Sequence, residues 1–134
     1  FSACSRSLYM FFKRKEKKEE PVQEEVQDTG ELLANAQRAV AELKDKSGEE
    51  RIAALNEIGI LYAEAKQTDE AITYLEMSLS EKKDLGKGYR TLLNLYNTKR
   101  REAAKAKDDE QIQYYLRKID EMMAISKEVT RASF

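Results

Sequence analysis

Histidine is absent from the 134 residues, cysteine and proline occur once each, as Cys4 and Pro21, and glycine occurs only five times. Without histidine the chain lacks the commonest general base and the commonest metal ligand. A single cysteine can form neither an internal disulfide nor a multi-cysteine metal site. Near a chain end, where disorder concentrates, Cys4 reads as an unimportant thiol. The scarcity of proline and glycine leaves few breakers between long runs of Ala, Leu, Glu, Lys, Gln and Arg, which is the composition of helices. An excess of one charge is also missing. The 24 Lys and Arg nearly cancel the 25 Asp and Glu, so no net field draws the whole molecule to nucleic acid or to an anionic membrane. An all-α chain follows, and at 41% hydrophobic residues it is long enough for one well-buried domain and too short for two.

The first part of the chain differs from the rest. Leu8-Tyr9-Met10-Phe11-Phe12 is an apolar run far too short to span a bilayer, and Lys13-Arg14-Lys15 closes it. Met10-Phe11-Phe12-Lys13 has the form of a natural start, so the first nine residues read as upstream sequence. Phe1-Ser2-Ala3-Cys4 has the outline of a lipoprotein cleavage box, but the hydrophobic stretch that such a box follows is absent, and lipidation is not expected. Residues 13–27 are almost wholly charged or polar, with too little apolar surface to offset ordering entropy. Residues 1–27 are therefore expected to form a flexible or disordered charged tail. Alternatives for the aromatic and basic stretch 9–18 are contact with a membrane surface or the remnant of a longer anchor.

Order is expected over residues 28–134. Asp28 can cap a helix with Glu31 three residues on, after which Leu33, Ala36, Val40 and Leu43 make one apolar stripe. Ser47-Gly48-Glu49-Glu50 ends that helix and caps a second, which carries Ile52, Leu55, Ile58, Gly59 and Tyr62 and ends near Lys66. Thr68 caps a third, with Asp69 and Glu70 at the positive end of its dipole and Ala71, Leu75, Ser78 and Leu79 facing inward. After the Gly86 and Gly88 turn a fourth helix carries Tyr89, Leu92, Leu93 and Tyr96, and Asp108-Asp109-Glu110-Gln111 caps a fifth that runs through Met122, Met123 and Val129.

Two stretches repeat. Leu55-x-x-Ile58-Gly59-x-x-Tyr62 followed by Ala71-x-x-x-Leu75 resembles one tetratricopeptide repeat, and Tyr89-x-x-Leu92-Leu93-x-x-Tyr96 follows the first part of it after 34 residues, the period of that family. Leu55 stands where the family usually has Trp, Ser78 where it usually has Ala, and Leu93 replaces the Gly that allows close helix contact. The partner pattern Ile112-x-x-x-Leu116-x-x-Ile119 comes seven residues later than Ala71-x-x-x-Leu75 would place it, which suggests about one extra turn in each helix of the second hairpin. Residues 31–43 resemble the second helix of a degenerate preceding unit and would cap the first hairpin.

The resemblance, which covers residues 52–129, implies antiparallel hairpins stacked as a short right-handed solenoid of about five helices. It also implies a concave face lined by the first helix of each unit. The residues pointing there would be Asn56, Ile60, Ala63 and Glu64 from the second helix and Lys87, Arg90, Asn94, Asn97 and Arg101 from the fourth. Members of the family often hold an extended peptide with such rows. The paired Lys and Asn that clamp a terminal carboxylate in some relatives are not reproduced in the first row.

The expected function is thus a protein-interaction module, an adaptor or scaffold that binds a protein or peptide on its concave face in a reducing compartment, the cytoplasm. Alternatives are a membrane-proximal adaptor attached through residues 9–18, and a self-associating helical domain. Homodimerisation has a physical motive, because such arrays usually need about three repeats for stability. Lys99, Arg100, Arg101, Lys105 and Lys107 crowd the tip of the fourth helix, where they suit its negative dipole end. Without aromatic interleaving they make nucleic acid an unexpected partner. Tyr115 is expected in the core and Tyr114 at the surface. No glycine-rich phosphate loop and no nucleophile with a base are present, and the acidic pairs Glu19-Glu20, Glu24-Glu25 and Asp108-Asp109 read as solvated or capping. No enzyme activity, cofactor or metal is expected.

Overall fold

Helical composition becomes separate helices where caps and turns interrupt it. In the computed structural model, which describes residues 28–132, α1 spans Thr29–Glu42, a 3-10 turn Leu43–Asp45, α2 Gly48–Glu64, α3 Thr68–Glu81, α4 Lys87–Lys105 and α5 Asp109–Ala132. No strand occurs among the described residues. The expected tail, with Cys4, the stretch 9–18 and the acidic pairs at Glu19 and Glu24, lies outside them.

The Asp28 carboxylate accepts from the Gly30 amide at 3.0 Å, and Glu31 sits in the first turn, where its charge suits the dipole. The inward stripe is Leu32 and Ala36 of α1 and Leu43 of the 3-10 turn, with Leu33 and Val40 only half-buried. Ala36 and Leu43 are buried as expected, while Leu32 takes the place expected for Leu33, because α1 packs chiefly on α2 and buries a single narrow stripe. Ser47 stands at the α2 N-cap without a side-chain hydrogen bond.

Thr68 is the first residue of α3, not its cap; Gln67 takes that place. The α2–α3 turn determines this boundary. Lys66 and Gln67 amides bond back to the Ala63 and Tyr62 carbonyls at 3.0 and 2.8 Å, with Lys66 in the left-handed region at φ 66°. The same closure recurs after α4. There the Lys107 and Asp108 amides bond to the Ala104 and Ala103 carbonyls at 3.1 and 2.9 Å, and Lys107 has φ 57°. Asp108 Oδ1 accepts from the Gln111 amide at 3.2 Å and so caps α5.

These matched turns locate the extra residues of the second hairpin. Lys66 comes four residues after Tyr62, whereas Lys107 comes eleven after Tyr96, while Ala71 and Ile112 each follow their turn by five. The whole excess therefore lies in α4, as about two turns, and α5 must lengthen to run back along it. One further expectation fails. Leu116 is exposed, because it lies off the side of α5 that carries Tyr115, Ile119 and Met122. The core-facing residues of α5 are Met122, which is buried, and the half-buried Tyr115 and Ile119.

Three-residue turns make α2 and α3, and α4 and α5, antiparallel neighbours, and α4 packs against both α2 and α3. Two apolar clusters result. Leu43, Leu55 and Ile58 gather Val40, Tyr62 and Tyr74, while Leu75, Leu92, Tyr96 and Met122 gather Leu79, Tyr89 and Ile119. A Cβ on Gly59 would overlap Leu75 Cγ and stand 2.7 Å from its Cδ2 and 3.3 Å from the Ala71 carbonyl oxygen. Packing is thus tight at Gly59, as expected. Although alanine favours an isolated helix over glycine by about 1 kcal/mol, overpacking a core costs about 1–3 kcal/mol, and here the Leu75 branch has α4 behind it. Gly59→Ala should therefore lower stability by about 1–2 kcal/mol in urea denaturation; a stabilised variant would contradict this packing.

Candidate functional site

The α2–α4 contact carries the residues expected on the concave face. Gly88, in the first turn of α4, leaves room there for the Asn56 side chain: a Cβ would overlap Asn56 Oδ1 and stand 2.9 Å from Asn56 Cγ. Sequence reading placed Gly88 in a turn and missed this role. Beside the contact lies a cavity of about 120 Å³ whose lining includes Asn56 and Ile60 of α2, Ser78 of α3 and Lys87, Gly88 and Tyr89 of α4. Three of the expected site residues, Asn56, Ile60 and Lys87, therefore meet at one place.

The others divide. Arg90 and Asn94, four residues apart on α4, are exposed, and their side chains have no hydrogen bond or ion pair among the described residues. Asn97 is half-buried and turned back on its own helix. Its Nδ2 donates to the Leu93 carbonyl at 3.2 Å, and its Oδ1 accepts from Arg100 Nε and Nη2 at 3.4 Å each. Arg101 is exposed but donates to Thr98 Oγ1 at 3.2 Å. Glu64 is exposed at the end of α2, away from the cavity, and Ala63 is half-buried.

The basic tip is partly neutralised. Lys99 Nζ lies 3.1 Å from Asp69 Oδ1, and the hydrogen bond to this carboxylate raises the ammonium pKa above its ordinary value. Lys105 and Lys107 remain exposed.

A second cluster lies between α3, α4 and α5. The buried Tyr96 hydroxyl donates to Glu76 Oε2, which is also 3.8 Å from Lys118 Nζ. Lys118 lies 3.5 Å from Glu121 as well, and its ammonium stands 5.9 Å from the ring centroids of both Tyr96 and Tyr114. Beside this network a groove of about 310 Å³ is floored by Leu79, Leu92 and Met122. Nothing local announces the network, since its members come from three helices. As expected, Tyr114 is exposed and Tyr115 packs against the core.

Among the described residues no group of three or more His, Cys, Asp or Glu is placed to hold a metal ion. No family model, no curated protein and no solved structure matches the chain.

Burial, followed by the hydrogen bond to Glu76, pushes the Tyr96 phenol well above its ordinary value of 10.0. Folding thus favours the neutral phenol, and this contribution is fully present below pH 10 and is lost as the pH rises through the raised folded value. Tyr96→Phe should cost about 1–2 kcal/mol at pH 7, with the gap to the parent protein narrowing above pH 10 in a urea series. A gap that is independent of pH would contradict this arrangement.

Proposed function

We propose that the chain is a protein-interaction module built as a short tetratricopeptide-like right-handed solenoid, and that it holds a protein or peptide along the face shared by α2 and α4. The packing of α4 on both helices of the first hairpin supports the stacking. The observation that carries the binding reading is the pair Arg90 and Asn94. They are exposed donors on one ridge, unpartnered among the described residues, and on the helix whose start forms the cavity with Asn56 and Ile60. Asn97 and Arg101, whose side chains are already engaged, belong to the scaffold in this reading. Both Arg90 and Asn94 point to solvent, so removing them should leave the fold intact. Pull-down from the native cell with the full chain should recover a partner that an Arg90→Ala, Asn94→Ala variant binds at least about tenfold more weakly. Equal recovery by both proteins would dispose of this face as the binding surface.

A second reading, self-association, is favoured by α5. Tyr114, Leu116 and Met123 are 41%, 38% and 45% exposed, and the last two lie seven residues apart on one side of the helix. In sedimentation, Leu116→Glu with Met123→Glu should turn a concentration-dependent dimer into a monomer; a parent protein that stays monomeric at high concentration removes this reading. Attachment to a membrane through residues 9–18 concerns residues outside those described, and none of the described helices is long and apolar enough to cross a membrane. A cytoplasmic location and the lack of enzyme activity are part of the proposal.

A further inference from the structure

The start of α4 is open. Gly86 is its N-cap and supplies no side chain, no other side chain caps the helix, and the first amide bonded within the helix is that of Arg90, to the Gly86 carbonyl at 3.1 Å. The amides of Lys87, Gly88 and Tyr89 therefore have no carbonyl partner at the positive end of a 19-residue helix. All three residues line the 120 Å³ cavity.

A second feature of the cavity is independent of the helix end. Ser78 lines it, is only 3% exposed, and its hydroxyl has no hydrogen-bond partner among the described residues. Its neighbours on α3 behave differently: Thr73 and Ser80 hydroxyls bond to the Asp69 and Met77 carbonyls at 3.1 and 2.8 Å. A buried hydroxyl that forgoes such a bond is a donor awaiting an acceptor. Lys82 and Lys87 add positive charge to the lining, although Lys82 also pairs with Glu49 at 3.2 Å. Asp84 is the one acid among the lining residues, and it stands beside the cap without bonding to it. The cavity has room for a carboxylate or a phosphate.

We propose that this cavity is an oxyanion site, in which the amides of residues 87–89 and the Ser78 hydroxyl receive the oxygens of a small anionic group. Under the interaction-module reading, that group is the carboxylate of a bound peptide. The site itself stands without that reading, since a free oxyanion would meet the same donors.

Amide chemical shifts of the full chain, titrated with acetate and with inorganic phosphate at ionic strength held constant with chloride, test the proposal. Saturable shifts confined to residues 87–89 and 78 are expected. Ser78→Ala should weaken binding about tenfold, because a hydrogen bond to an anion is lost. Asp84→Asn should tighten it by removing the opposing charge. Acetate bound more tightly than phosphate assigns the site to a carboxylate, and the reverse assigns it to a phosphate group. Asn94→Ala changes no charge and lies outside the cavity lining, so it should leave anion binding unchanged whether or not it weakens partner capture, and the two readings fail separately. Shifts that do not saturate, or that Ser78→Ala leaves unaltered, would overturn the site.

Discussion

Leu75 rests on Gly59, and most of the architecture depends on that seat. On one side the Leu75 branch lies where a Cβ of α2 would be; on the other it forms the buried cluster with Leu92, Tyr96 and Met122 of α4 and α5. One side chain of α3 therefore joins the two hairpins. Any atom added at position 59 must push α3 away from α2 or into α4, since close-packed interiors have no slack to absorb it. At the next crossing Gly88 leaves room for the Asn56 side chain of α2.

Ion pairs at the edges follow this packing and do not create it. Arg51 to Glu81 at 2.9 Å and Lys82 to Glu49 at 3.2 Å join the start of α2 to the end of α3, and Lys83 to Glu128 at 3.2 Å joins the α3–α4 loop to α5. Each is partly or largely exposed and worth little by itself. The projecting α4–α5 tip has even less to hold it. Of its residues only Ala103 is buried, which leaves the apolar surface of α5 open at Tyr114 and Leu116.

How much of this was legible in the sequence depends on the range of each contact. Helix identity, the Asp28 and Asp108 caps and the tight spot at Gly59 follow from periodicity and local chemistry, and all are present. Leu33 was expected to be buried instead of Leu32, and Thr68 to be a cap, because each depends on how a neighbouring helix or turn sits. The stretch of the second hairpin was visible as seven residues, but its placement within α4 needed the Lys107 turn. Asn97 and Arg101 were expected to point to the concave face, but they engage Leu93, Arg100 and Thr98 three or four residues away on their own helix. The cavity between Gly88 and Ser78 and the Tyr96–Glu76–Lys118 network were not readable, since each joins residues distant in sequence.

The proposed binding face and the core are built from the same helices, so the position of α4 on α2 bears on both. The coupling between positions 59 and 75 tests that dependence most directly, through a double-mutant cycle in urea on Gly59→Ala and Leu75→Ala. Strong coupling is expected, about 1–2 kcal/mol, because removing the Leu75 branch makes room for the new methyl group. Additive effects of the two substitutions, within about 0.3 kcal/mol, would show that Leu75 does not rest on Gly59 and would contradict the account.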